Sequence, residues 1–126
     1  MAIASTGWVV FDCRDPHELA RFYLGVLGGD VDSANSNDNW VQVVTADGTQ
    51  LGFQRVPDFV PPEWPSPEHS QQLHLDLRAT DREEAERQVL ALGARALDTD
   101  DEGGKRDFRV YADPAGHPFC FVYGQG

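Results

Sequence analysis

The sequence has few basic residues and no cluster of them. Its 126 residues contain 10 Lys and Arg against 21 Asp and Glu, which gives a formal net charge of −11. Because the neutralisation of phosphates supplies most of the affinity for nucleic acid, this charge argues against a nucleic-acid partner. The same charge favours solubility, and it would attract cationic ligands.

Cysteine and long apolar runs are also scarce. The two cysteines, Cys13 and Cys120, form no Cys-x-x-Cys pair, so neither a zinc knuckle nor a disulfide framework is indicated. No apolar run approaches the length of a membrane span, and residues 1–6 lack the basic region and apolar run of a signal peptide. We therefore expect a cytoplasmic protein without a membrane partner.

What is present is typical of one globular domain. Hydrophobic residues make up 40% of the chain and charged residues 25%, and 126 residues are enough to bury a core without staples. We predict a single domain over residues 1–126.

The first half of the chain predicts one helix among four strands. A strand is expected over Trp8–Cys13, followed by a helix that opens at Asp15-Pro16 and ends at Gly28-Gly29. The apolar stripe of this helix consists of Leu19, Phe22, Tyr23, Val26 and Leu27. Three further strands are predicted at 30–33, 40–45 and 50–56, the last two joined by a hairpin at Asp47-Gly48.

A proline-rich connector over residues 57–71 separates this half from the next. Proline favours extended backbone, so we expect a semi-rigid segment. It also carries Phe59 and Trp64, which we expect to pack over a pocket or against a second subunit.

The second half repeats the order of the first. A strand over Leu73–Arg78 leads to a helix capped by Thr80 or Asp81 and stopped by Gly93. A short strand is then predicted at 95–97, followed by an acidic loop (98–104) that lacks EF-hand spacing and that we interpret as solvated. Two further strands are predicted at 108–112 and 118–123. We assign module one to residues 7–56 and module two to residues 72–124. Each reads βαβββ, so the predicted fold is α+β, with the tandem modules forming a curved mixed sheet around a shared cleft.

The strand that opens module two carries the most informative pattern. Its alternation predicts that Leu73, Leu75 and Leu77 are buried on one side. The other side then shows His74, Asp76 and Arg78. This side is either a polar cleft or an exposed strand face, and a salt bridge between Asp76 and Arg78 is expected on it.

The paired modules resemble the vicinal oxygen chelate superfamily, which includes glyoxalase I, extradiol dioxygenases and bleomycin-resistance proteins. The motifs that carry the resemblance are Phe22-Tyr23, Leu27-Gly28, Leu51-Gly52-Phe53-Gln54-Arg55-Val56, His74-Leu75-Asp76-Leu77, Leu92-Gly93 and Asp113-Pro114-Ala115-Gly116. The chain is most similar to the glyoxalase-like branch.

The resemblance implies where a metal would be held. In metal-dependent members the ligands come from the first and last strands of each half, and here these positions fall on Trp8, Gln54, His74 and Cys120. Tryptophan cannot bind a metal, glutamine is a poor neutral donor, and only His74 is a strong family-type ligand. Cys120 could join His74 in a soft-metal site, but it stands between two phenylalanines, where a thiol has a raised pKa and behaves as a small hydrophobe. We expect no metal, with a divalent ion as the alternative.

Two functions follow from the resemblance. The first is non-catalytic binding of a small molecule, with a preference for a cationic one, by a homodimer. The second is a lyase, isomerase or dioxygenase-type enzyme in which His74 is a metal ligand or general base and Arg78 or Gln54 stabilises an oxyanion. The residues predicted to bind the ligand are Trp8, Gln54, His74, Asp76, Arg78 and Cys120.

Overall fold

The computed structural model describes residues 2–123 and separates the chain into two compact units, Met1–Phe59 and Val60–Gly126. The single domain predicted from the sequence covers residues 1–126, so it extends beyond the described residues at both ends. Met1 and residues 124–126, which include the predicted end of module two, lie outside the described residues.

The first unit is a four-stranded sheet with one helix. Its elements are β1 (Val9–Cys13), α1 (Pro16–Leu27), β2 (Gly29–Val31), a short 3-10 helix (Ser33–Asn35), β3 (Trp40–Thr45) and β4 (Gln50–Arg55). The strand order is β1-β4-β3-β2, in which β1 pairs parallel with β4 and the other pairs are antiparallel. The first and last strands of the unit are therefore neighbours.

Helix α1 follows from local sequence signals. The Asp15 carboxylate accepts hydrogen bonds from the backbone N–H groups of His17 and Glu18, and Pro16 occupies the first turn, where its missing N–H costs nothing. The helix ends at Gly28, whose φ of 71° is accessible to glycine without strain. The helix packs on the sheet through a buried core of Phe11, Leu19, Phe22, Tyr23, Val41, Val43, Leu51 and Phe53.

The second unit repeats this arrangement. Its elements are β5 (Leu75–Arg78), α2 (Arg82–Ala91), β6 (Arg95–Asp98), a 3-10 helix (Glu102–Gly104), β7 (Phe108–Ala112) and β8 (Pro118–Val122). The order is β5-β8-β7-β6, with β5 parallel to β8. Asp81 caps α2 by accepting from the Glu84 N–H. The predicted α+β fold, two tandem βαβββ modules with mixed sheets, is confirmed.

The start of β5 differs from the prediction. Leu73, Leu75 and Leu77 were expected to be buried, but Leu75 and Leu77 are only half-buried. Leu73 is 79% exposed and precedes the strand. The reason lies at Gln72, whose φ of 63° is left-handed and interrupts the extended backbone. His74 therefore lies at the entrance of β5 rather than inside it.

The acidic loop also differs from the prediction. Two of its carboxylates are held by arginines rather than solvated: Asp101 accepts from Arg82 and Arg109, and Asp98 accepts from Arg106. These hydrogen bonds, with Arg109 the largest contribution to Asp101, lower the pKa of both carboxylates. The loop is thus fastened to β7 and α2 by its own charges.

The connector contains no helix or strand between β4 and β5. Phe59 and Trp64 are both half-buried, and the Phe59 carbonyl accepts a hydrogen bond from Arg14. Across residues 2–123, the longest helix is neither long nor apolar enough to cross a membrane.

Candidate functional site

Three side chains capable of binding a metal or a polar ligand meet on the sheet of the second unit. Asp76 of β5 lies directly opposite Cys120 of β8 in the parallel register, so both side chains project from the same face. His74, just before β5, places its Nε2 3.1 Å from an Asp76 carboxylate oxygen. One donor atom from each of the three lies within 4.8 Å of the others.

The environment keeps the thiol of this group protonated. Cys120 is only 9% exposed, whereas the side chains of His74 and Asp76 keep 37% and 57% of their surface exposed. Burial, and after it the negative charge of Asp76, raises the pKa of Cys120 to about 11. At neutral pH the thiol is a weak donor and not a nucleophile.

Asp76 pairs with His74 and not with Arg78. Within residues 2–123 the predicted Asp76–Arg78 salt bridge is not formed. Residues two apart on a strand project side by side about 7 Å apart, whereas His74 precedes the strand and can turn its ring towards the carboxylate. Arg78 is exposed at the end of β5, on the same face as Asp76.

The other two predicted residues belong to the first unit. Trp8 directly precedes β1 and is 44% exposed. Gln54 is exposed in β4, where it lies opposite Asp12 of β1 and Trp40 of β3. That all six residues bind one ligand stays a prediction.

The sequence placed Asp76 and Cys120 in one predicted ligand set and considered Cys120 with His74 as a soft-metal site, but it did not foresee that Asp76 lies beside Cys120. The available signal was the family resemblance, which takes ligands from the first and last strands of each module. The position of the Trp40 side chain was also not foreseen, since Trp40 was assigned only as the start of a strand. Its ring lies over Gly52 of the next strand, a position that only the strand register reveals.

The donor set fits one kind of metal better than another. A nitrogen, a carboxylate oxygen and a sulfur suit zinc, which binds histidine, aspartate and cysteine with open positions left for a substrate. Magnesium or calcium would need oxygen ligands, and the group offers only one carboxylate. A metal at this position would therefore be zinc-like, and its binding would have to displace the proton of Cys120.

Comparison with known families gives a clear result. The family model for the glyoxalase-like domain matches residues 8–122, which include both modules. The chain belongs to this family. The resemblance of the sequence to the glyoxalase-like branch of the vicinal oxygen chelate superfamily is thereby confirmed.

Solved structures agree with the fold of this glyoxalase-like protein. It is similar to a glyoxalase/bleomycin resistance protein/dioxygenase family enzyme from Burkholderia phytofirmans PsJN, with a TM-score of 0.70 and 13% identity over 95% of this chain and 98% of that one. It is also similar to the fosfomycin resistance protein FosX from Listeria monocytogenes, with a TM-score of 0.68 and 12% identity over 98% and 94% of the two chains.

A third similar structure is a glyoxalase-related enzyme from Fulvimarina pelagi, with a TM-score of 0.67 and 17% identity over 97% and 89% of the two chains. No curated protein matches the sequence. At these identities the likeness shows the fold alone.

Proposed function

We propose that this glyoxalase-like protein binds a small cationic molecule, with His74, Asp76 and Cys120 as polar recognition groups, and that binding needs no metal. The observation that carries the proposal is the imidazole–carboxylate pair at 3.1 Å on an exposed sheet face beside a protonated thiol. An oriented carboxylate accepts hydrogen bonds from an ammonium or guanidinium group, and the thiol adds a weak donor.

Charge favours a cation over an anion. The protein carries a formal net charge of −11, and Asp76 is more than half exposed at the centre of the group. A phosphonate such as fosfomycin would meet a repulsive potential there, whereas a cationic drug such as bleomycin would meet an attractive one. Both compounds occur in the names of similar structures, so they form a natural pair of test ligands.

A second function has its own support. A carboxylate 3.1 Å from an imidazole nitrogen orients the ring, which is the arrangement of a general base. In a lyase or isomerase of this kind, His74 would take a substrate proton and Arg78, on the same face, would stabilise the resulting oxyanion. If zinc is bound, His74, Asp76 and Cys120 would hold it, and the ion would polarise a substrate oxygen.

Calorimetry with the purified chain tests the two functions. We expect bleomycin to bind in the presence of a chelator and fosfomycin not to bind. His74→Ala and Asp76→Asn should each weaken bleomycin by about tenfold, the loss expected for one charge-assisted hydrogen bond. His17→Ala is the matched control, because His17 forms an exposed pair of the same kind with Asp38, at 3.2 Å, in the other unit.

A requirement for zinc would support the enzyme, whereas a lack of dependence on His74 would support neither function. Binding of either drug only when zinc is added, or binding unaffected by His74→Ala, contradicts the proposal. The homodimer expected from the resemblance is a separate proposal, and sedimentation at micromolar concentration tests it.

A further inference from the structure

The indole ring of Trp40 lies over Gly52 of the neighbouring strand. In the β3–β4 register Gln42 is opposite Gly52, and the ring of Trp40 reaches diagonally over that glycine. A Cβ built at Gly52 would collide with Cη2 of the indole and lie 2.8 Å from its Cζ2. The ring therefore occupies space that exists because residue 52 has no side chain.

A chain of hydrogen bonds fixes the orientation of this ring. The indole N–H donates to the Gln42 side-chain oxygen at 2.8 Å, and the Gln42 amide donates to a carboxylate oxygen of Asp32 at 3.0 Å. The same oxygen accepts from the Asn35 amide at 2.9 Å. Each member holds the next, so the ring is oriented before any ligand arrives and loses little entropy when one binds.

The face of the sheet around the ring is mainly apolar and carries one acidic residue. Trp40 itself is half-buried and keeps part of its surface open. By strand alternation and register its face of the sheet also carries Val10, Val44 and Asp12, and the two valines are 45% and 43% exposed. A tryptophan that only fills the core would be fully buried, whereas Trp40 is half-buried and its N–H group is held by Gln42.

We infer that Trp40 is a stacking platform that binds a flat, positively charged ring of a ligand. The negative face of an indole attracts a cation placed over it, and tryptophan is the side chain that does this best. The net charge of −11 and the carboxylate of Asp12 favour a cationic ring over a neutral or anionic one. The inference extends the proposed preference for cationic ligands, but it depends on residues of the first unit alone and needs neither His74 nor a metal.

Three probes of one shape and different charge test this inference. They are 1-methylquinolinium, neutral 1-methylnaphthalene and anionic 1-naphthoate, each titrated into the full-length protein labelled with ¹⁵N. The indole N–H signal of Trp40 is assigned by its loss in Trp40→Phe, which separates it from the signals of Trp8 and Trp64. We expect 1-methylquinolinium to shift this signal saturably, with a dissociation constant about tenfold lower than that of the neutral probe, and 1-naphthoate to leave it unchanged.

Two substitutions separate stacking from general binding. Gly52→Ala keeps every side chain of the platform but displaces the ring, so it should weaken 1-methylquinolinium about tenfold. Gly7→Ala is the matched control, because a Cβ at Gly7 meets no atom within 4 Å. Trp40→Leu removes the aromatic face together with the indole signal, so its affinity is measured from the shifts of backbone amide signals in β3 and β4, and the probe should be weakened equally. A dispersed amide spectrum shows that each variant is folded.

The outcomes are distinct. Equal affinity for the three probes, or a 1-methylquinolinium affinity that survives both Trp40→Leu and Gly52→Ala in folded protein, overturns the inference. Failure of bleomycin to bind together with a charge-selective shift of the Trp40 signal would reject the proposed function and leave the platform standing. If bleomycin binds in a way that depends on His74, and 1-methylquinolinium does not shift the Trp40 signal, the proposed function stands and the inference about Trp40 is rejected.

Discussion

Replacing Asp76 by asparagine should make the thiol of Cys120 more acidic by an amount that the geometry bounds. The donor atoms of the two residues lie within 4.8 Å of each other. At 4.8 Å, the longest separation that this allows, a unit charge contributes about 0.9 kcal/mol in a water-like dielectric and about 3.5 kcal/mol in a dielectric of about 20. Since 1.36 kcal/mol corresponds to one pKa unit, these limits are about 0.6 and about 2.5 units.

The structure selects between these limits. The pKa of Cys120 is raised from its ordinary value of 9.0 to about 11, with burial as the first cause and Asp76 as the second. The upper limit alone would exceed this whole rise, and the Asp76 side chain keeps 57% of its surface in water. The water-like value therefore applies, and Asp76→Asn should lower the pKa of Cys120 by about 0.6.

Alkylation by iodoacetamide measures this change, because only the thiolate reacts. Between pH 7 and 9.5, the rate at Cys120 should be about fourfold higher in Asp76→Asn than in the original protein. Peptide mapping by mass spectrometry resolves the two cysteines, so Cys13, which is buried in the other unit, serves as the internal reference. A ratio near one would mean that the carboxylate and thiol do not interact. A ratio near one hundred would mean that charge, not burial, dominates the environment of Cys120.

Two further predictions concern stability. Gly29→Ala should destabilise the protein by about 3 kcal/mol or more, because the φ of Gly29 is 110° and a Cβ there would overlap the Val44 carbonyl and lie 2.6 Å from Thr45 Cα. Gly48→Ala, at a φ of 88° in open space, should cost about 1 kcal/mol, and equal losses in urea unfolding would contradict the steric argument. Asp101→Asn should destabilise the protein most above pH 4: Arg109 lowers the pKa of Asp101 below 3.8, so this stabilisation is present above that value and is lost as the pH falls through the lowered pKa. The difference from the original protein should shrink between pH 5 and 2.5, and a difference that stays constant would show that the charge of Asp101 is not the cause.

The parts of the fold that were predictable are those with local causes. The helix ends depend on interactions within a few residues, so the sequence locates these ends closely. The residues that mark them are Asp15, Pro16, Gly28, Asp81 and Gly93. The order of elements repeats, which made the two βαβββ modules recognisable. Family resemblance then added the positions of His74 and Cys120.

The parts that were missed have causes distant in sequence. The left-handed backbone at Gln72, which exposes Leu73, has no signal in the residue type, since glutamine rarely adopts that conformation. The ion pairs of Asp101 join residues 19 and 8 positions away, on Arg82 and Arg109, and only the tertiary fold selects them from the available arginines. The position of the Trp40 ring over Gly52 likewise depends on strand register, which the alternation of residues alone does not determine.

The parallel pairing of first with last strand in each module has a consequence for how the two halves diverge. Every strand pairing of residues 2–123 joins strands of one half, β1–β4–β3–β2 or β5–β8–β7–β6. The backbone hydrogen bonds between the strands of each sheet are therefore formed within one half. The side chains at equivalent positions of the repeat, such as the tryptophan at residue 8 and the histidine at residue 74, can therefore differ without changing the strand pairing of the other half.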